Sequence, residues 1–432
     1  MTLSSLKNAV QNGTLHADYT VRCGVNAADV GVQDARVLSA IDAFADRYGA
    51  ERDVMLLSVG GRSELSGNHT DHNHGRVIAA SISLDVLAVA AKRDDGVMSV
   101  ASAGYPVDTV EASAVEAPDE AKFFKSAAII AGMARAFRDA GYEIGGFDAA
   151  TTSNVLKGSG LSSSAAFEVM IGNILNHLYN GGKVSNVEIA KMAQYAENVY
   201  FGKPCGLMDQ TACAVGGCIT IDFADPKTPV IEKLPLDLKK AGYALCITDT
   251  GGNHADLNDD YASVPAEMKA VAALLGKTVL REVSREDVIA NAARIRENCG
   301  DRAFLRAMHF LSENTRVSAQ ADALRTGDLD AFFKGVLASG ASSYRYLQNV
   351  YTTKNVSEQG LSVALCLTEQ FITETCAGKG AFRVHGGGFA GTVQAYVPAE
   401  HAQEYVSFME AVFGEGAVYV LNVRPEGAIR LA

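Results

Sequence analysis

KGSGLSSSAAFE, residues 157–168, is the stretch that decides how this chain is read. Gly158 and Gly160 permit close backbone approach, and Ser159, Ser162, Ser163 and Ser164 place hydroxyls around Leu161. From Ala165 the sequence turns apolar with helical spacing as far as about Tyr179, so serines precede a helix. The free N–H groups and dipole of such a helix attract anions, which makes the turn a candidate phosphate cradle. A serine hydroxyl could also ligate magnesium. The pattern GxxxxGK followed by Ser or Thr is absent, so this is not a Walker A loop. An ordinary serine N-cap is the alternative reading of the same residues.

Upstream, Phe123, Ala127, Ile130, Ala134 and Phe137 predict an amphipathic helix over 120–140, ended by Gly141, and then a strand. Further back, GRSELSGNHTDHNHG at 61–75 packs several kinds of hydrogen-bonding side chain into one loop, as a polyol or sugar pocket needs. Gly60-Gly61 reads as the turn before it. The histidines also suit zinc, although no second ligand cluster with zinc-like spacing stands out, and a solvated polar loop is the remaining reading. Residues 77–91 and 97–101, separated by Asp94-Asp95-Gly96, predict a hairpin, so the chemistry is expected on loops beside strands. Residues 34–49 carry a helical pattern.

Downstream, a helix over 187–200 contains Glu197 and leads to Asp209 in GLMDQ, residues 206–210. Single acids are usually solvated surface residues and gain weight only through their neighbours. Strands near 217–223 and 243–249 bracket a proline-containing segment, and the domain boundary is placed near 230. Helices follow at about 264–275, 286–296, 301–312, 316–326 and 358–376. The chain closes with a strand, a glycine loop at 385–391, a strand, a helix near 400–413 and a last strand over 418–423. The class is α+β in two domains, 1–230 and 231–432. Gly386 to Gly391 matches GxGxxG, but a strand follows, which removes the dinucleotide fingerprint and leaves a tight hairpin as the local reading.

At 432 residues and 48% hydrophobic, the chain can bury a large core. Lys plus Arg against Asp plus Glu gives 38 − 50 = −12, so no electrostatic footprint for nucleic acid or anionic membrane exists, and an anionic substrate must be captured locally. Eight scattered cysteines without a CxxC pair fit reduced thiols in a cytoplasm. The sequence shows no signal peptide and no membrane span.

Taken together and in order, these segments resemble the GHMP kinase superfamily and, within it, the galactokinase family, over roughly residues 40–425. GRSELSGNHTDHNHG looks like the sugar signature, KGSGLSSSAAFE like the ATP-binding motif, RVHGGGFAGTV at 383–393 like the C-terminal motif, and CGLMDQ at 205–210 like the catalytic-aspartate segment. RAMHFLSENTRV, residues 306–317, also looks like its family counterpart. The resemblance implies an N-terminal ribosomal-protein-S5-domain-2-like domain, a C-terminal ferredoxin-like domain and a site between them. It implies that Asp209 acts on the anomeric hydroxyl of the sugar, as general base or electrostatic orienter, paired with Arg62. Asn68, His69, Asp71, Gly206 and Tyr261 match sugar-contact positions, Tyr261 within NHADLNDDY at 253–261. Gly158, Ser159, Gly160, Leu161, Ser162, Ser163, Ser164, Ala165, Gly387 and Gly388 match nucleotide positions, with Ser164 and Glu197 as magnesium ligands.

The implied activity is ATP-dependent, magnesium-requiring phosphorylation of D-galactose to galactose 1-phosphate. Departures bear on the sugar. The family's glutamate in GEHTDY is Asn68 here, its tyrosine is His72 and a glycine is His74; Lys157 replaces the usual proline and His385 a threonine. Losing the glutamate removes a negative charge that would repel a substrate carboxylate, so a kinase for galacturonate is an alternative. A non-catalytic sugar sensor on the same fold is another.

Overall fold

The computed structural model describes residues 1–155, 160–252 and 257–432. Its larger sheet holds β1 (Met55–Ser66), β2 (Arg76–Arg93), β3 (Val97–Ser102), β4 (Asp108–Glu111), β5 (Gly146–Ser153), β6 (Cys218–Asp222), β7 (Val230–Leu234) and, from the end of the chain, β12 (Ala428–Arg430). The order is β12-β1-β2-β5-β3-β4, with β6 and β7 continuing from the first part of β2. Every residue of β1 is buried, because helices cover both faces of the sheet. Leu57, Val59 and Ala88 pack with residues of the helices Ser126–Asp139, Ser163–Tyr179, Asn186–Tyr195 and Met208–Val215. Leu56, Leu87 and Val89 pack on the other face against Leu3–Gln11 and Val30–Tyr48.

The smaller sheet contains β8 (Tyr243–Asp249), β9 (Ala381–His385), β10 (Thr392–Pro398) and β11 (Val418–Leu421) in the antiparallel order β11-β8-β10-β9. A helical excursion after β8, the β9–β10 hairpin and the helix Ala402–Phe413 before β11 make this the ferredoxin-like arrangement. The chain leaves the larger sheet after Leu234 and rejoins it at Ala428, so β7 and β12 tie the halves across the expected boundary at 230. One apolar cluster joins Leu65, Ile78 and Leu161 to Leu245, Val317, Phe332 and Tyr396, fusing the two halves. No helix among the described residues is long and apolar enough to cross a membrane.

Several local expectations are corrected. Gly60-Gly61 lies inside β1 rather than at a turn. The expected hairpin does not pair with itself: β5 lies between β2 and β3, antiparallel to the first and parallel to the second. The helix Ser126–Asp139 provides the crossover that the parallel pairing requires. That helix starts six residues later than the sequence pattern because Phe124 sits at φ 62, which no helix accommodates. Residues 301–326 form one helix, Asp301–Thr326, since nothing in Ser312 to Thr315 breaks it.

Candidate active site

Arg62 stands on β1, and its N–H donates to the Leu161 carbonyl at 3.0 Å, laying the serine turn against the strand. Gly61 makes this approach possible: a Cβ there would meet Leu161 O at 2.8 Å. The β1–β2 register shifts between Gly60 and Arg62, a bulge that re-aims the arginine. Its guanidinium grips Asp209 in two parallel bonds, Nε to Oδ1 and Nη2 to Oδ2, each 2.7 Å, and Nη1 donates to the Gly160 carbonyl. Ser162, in the left-handed region at φ 58, donates its hydroxyl to Asp209 Oδ2. Ser162, at the N-cap position of Ser163–Tyr179, makes no capping bond, so it is not an ordinary serine N-cap. The serine goes to the aspartate, and among the described residues the first N–H groups of the helix have no side-chain acceptor. Burial raises the Asp209 carboxyl, but Arg62, Ser162 and Lys203 outweigh it and hold the group below its ordinary value.

Asp209 and Arg62 border a cavity of about 300 Å³ together with Glu64, His69, Asp71, His72, Lys203 and Gly206. Asp71 lies so close to Gly206 that a Cβ there would sit 2.1 Å from Asp71 Oδ2. His69 Nε2 lies 2.9 Å from the Gly387 carbonyl. Burial drives the His69 ring down to about 4, so it is neutral at pH 7 and must carry its proton on Nε2 to donate to that carbonyl. Tyr261, expected as a sugar contact, packs against Gly387 at the edge of the cavity, where a Cβ on that glycine would meet its ring at 2.6 Å. Its hydroxyl donates to Gly388 O at 2.8 Å and its ring packs edge-on against Phe389, so it supports the glycine loop.

Asn68 borders the cavity but its amide is committed elsewhere. Nδ2 donates to Gly386 O at 2.7 Å and to Glu64 Oε1 at 3.2 Å, while Oδ1 accepts from Asn349 at 2.8 Å and Ser343 at 3.3 Å. In this structure the Asn68 amide ties together the loop, the strand and the second half, at the border of the cavity. Gly386 to Gly391 is the β9–β10 hairpin loop, and Gly386 and Gly387 border the cavity. Gly388 at φ 78 is pressed on Asn349, where a Cβ would meet the backbone oxygen at 2.0 Å. His74 adopts φ 61, and no group of three or more His, Cys, Asp or Glu among the described residues is arranged to hold a metal.

Gly158 and Ser159, with Lys157, lie outside the described residues. Ser163, Ser164 and the buried Ala165 form the first turn of the helix, with Ser164 exposed. Glu197 sits on the wide helical turn Ala196–Phe201, 2% exposed, accepting from Lys203 Nζ at 2.9 Å and Gln210 Nε2 at 2.8 Å. The same Gln210 amide reaches Glu168 Oε2 at 3.0 Å, and Glu168 Oε1 is enclosed with no partner among the described residues. Burial and then the Glu197 charge push the Glu168 carboxyl well up. Glu168 and Glu197 offer carboxylate oxygens, one of them without a partner among the described residues, which is the donor chemistry a hard divalent cation takes.

Two family models match: the GHMP kinases N terminal domain over residues 128–217 and the galactokinase galactose-binding signature over 42–92. A galactokinase of Streptomyces coelicolor is 33% identical over 86% of this chain and 91% of its own length. This chain belongs to the galactokinase family. The human galactokinase is 29% identical over 89% of this chain and 94% of its own. The crystal structure of Lactococcus lactis galactokinase complexed with galactose superposes with a TM-score of 0.75 at 26% identity, covering 91% and 99% of the two chains. A mevalonate kinase structure at 13% identity and TM-score 0.61 shares the fold.

Within this galactokinase-family site the sequence reading passed over Glu64, Lys203, Glu168 and Gln210. Glu64 was findable. It is two residues beyond Arg62, the same side of a strand, had 61–66 been read as a strand.

Proposed function

We propose that this chain transfers the γ-phosphoryl group of ATP to the anomeric hydroxyl of D-galactose. The observation that carries the reading is the bidentate Arg62–Asp209 pair, fastened by Ser162 to the serine turn on one side and open to a sugar-sized cavity on the other. Held below its ordinary value, Asp209 is ionised at neutral pH and makes a weak base. Its main work is to accept a hydrogen bond from the anomeric hydroxyl and orient that oxygen for in-line attack, which a loose phosphoryl-transfer transition state permits. Arg62 neutralises the carboxylate and offsets the charge gathering on the transferred group. His69, Asp71 and Gly206 position the sugar, and the uncapped helix start at Ser163, Ser164 and Ala165 receives phosphate, with Gly160, Leu161, Gly387 and Gly388 shaping its approach.

Ser164 and Glu197 would hold magnesium, which when bound neutralises phosphate oxygens. Lys203 then has to give up or share Glu197, and its half-exposed ammonium is free to follow the phosphate charge. The domain division at about 230 is part of the same proposal, with the larger sheet carrying the sugar and phosphate loops and the smaller the glycine loop. Coupled ADP release with magnesium-ATP against galactose, galacturonate, N-acetylgalactosamine, arabinose and glucose tests it. Galactose should be the best substrate. A different best sugar would overturn the substrate, and no ADP with any sugar would overturn phosphoryl transfer in favour of sugar sensing.

A further inference from the structure

Resting on the galactose reading above, the structure assigns to Glu64 the carboxylate that sets sugar specificity. The family's glutamate at position 68 is asparagine in this chain, but the cavity has not lost a carboxylate at this point. Glu64 reaches the same place from β1, with Oε1 3.2 Å from Asn68 Nδ2 and 2.7 Å from Arg383 Nη2. Those two donors anchor Oε1. Oε2 has no hydrogen-bond partner among the described residues, yet it is not one of the enclosed unpartnered atoms, and the residue borders the cavity. A carboxylate oxygen with accessible surface in a pocket, on a group anchored through its other oxygen, is an acceptor waiting for a donor.

The neighbouring residues argue for Glu64 rather than Asn68. Both ends of the Asn68 amide are spent on Gly386, Glu64, Asn349 and Ser343, and turning it toward a ligand would break these bonds in a buried place. Asn68 therefore positions, and Glu64 contacts. The ligand chemistry follows. A neutral sugar offers an O–H to Oε2, whereas a uronate carboxylate offers no donor and a like charge, beside a second carboxylate, Asp71, in the same cavity. The chain accordingly selects a neutral hexose and rejects its uronic acid, opposite to what the loss of glutamate at 68 implies by itself.

The test is kcat/KM of the wild type and Glu64→Gln on galactose, its monodeoxy derivatives and galacturonate. For the wild type, one deoxy sugar should lose about 10- to 100-fold, the worth of a hydrogen bond to a charged acceptor. Glu64→Gln should lose a similar factor on galactose, and its gap between galactose and that one deoxy sugar should shrink to about threefold or less, with the other gaps preserved. Its galacturonate-to-galactose ratio should rise. A uniform loss on every sugar, or no change on any, would make Glu64 merely structural and overturn the assignment while leaving the galactose reading standing. If Glu64→Gln does not fold by circular dichroism, the exchange Glu64→Asn with Asn68→Glu keeps one amide and one carboxylate at the pair and should restore rejection of galacturonate; failure to do so counts against the assignment. Wild-type turnover of galacturonate at the galactose rate overturns it without any variant, and a wild type inert toward every sugar overturns both.

Discussion

At the scale of single residues, the site depends on one glycine and one ion pair. Gly206 has no room for a methyl group, since a Cβ would overlap Asp71 Oδ2 at 2.1 Å. Gly206→Ala should therefore displace the Asp71 carboxylate and raise KM for the sugar by about tenfold or more, a loss comparable to one charged hydrogen bond, with the melting temperature within a few degrees of wild type. Equal KM values for the two proteins would show that Asp71 does not touch the sugar. The second case is the Arg62–Asp209 pair. Burial alone raises the Asp209 carboxyl, and the arginine is the foremost of the groups that pull it down. A depressed carboxylate is lost only as pH falls through its folded value, so the wild-type acid limb of kcat should lie below the ordinary aspartate value near 4. In Arg62→Met the desolvation remains without the cation, and the limb should move upward; a limb at the same pH in both proteins would remove Asp209 from the titration.

At the scale of elements, β1 carries more of the site than any loop. Its two glycines are places where another backbone or side chain presses in, not a turn. A Cβ on Gly61 would meet the Leu161 carbonyl at 2.8 Å and Val155 Cγ1 at 2.9 Å. Gly61→Ala should push the serine turn off the strand, costing about 1–3 kcal/mol in a urea melt as overpacking does. It should also lower kcat, because Arg62 N and Nη1 both bond that turn. Unchanged kcat would mean that the turn is not held in place by β1. The motifs and their order were legible in the sequence, because glycines, serines and acids at fixed spacing follow directly from the chemistry they serve. Strand partners were not: that β5 separates β2 from β3 depends on the crossover helix Ser126–Asp139, which pairs residues about fifty positions apart. Nor could spacing show that the Asn68 amide is already spent, since its partners Asn349 and Gly386 lie some 280 and 318 residues away. Glu64, by contrast, was hidden only by reading a strand as a loop.

At the scale of the whole molecule, the site is also the seam. Glu64 and Arg383, Asn68 and Gly386, and His69 and Gly387 join the two halves at the cavity, and Ser63 and His385 join them on the other face of β1. Because the apolar cluster between the sheets spans the same seam, heating should give one cooperative calorimetric transition; two resolved transitions would show halves that fold independently. The seam also titrates. His69 is driven to about 4 by burial, against about 6.5 unfolded, so between these values the unfolded chain binds the extra proton and stability falls as pH falls. His309, buried against the Asn68 carbonyl and also lowered, acts in the same direction. The melting temperature should drop steadily from about pH 6.5 toward 4, less steeply in His69→Asn, and identical slopes would place the acid sensitivity elsewhere. Shape, seam and chemistry meet at one carboxylate. The most direct test is to follow ADP and galactose 1-phosphate formation by the wild type and by Asp209→Asn, with galactose binding measured calorimetrically on both. The wild type should form the two products one for one, and Asp209→Asn should lose on the order of 10³-fold in kcat while still binding galactose. A variant that turns over near the wild-type rate, or a wild type that releases no ADP, would contradict the account.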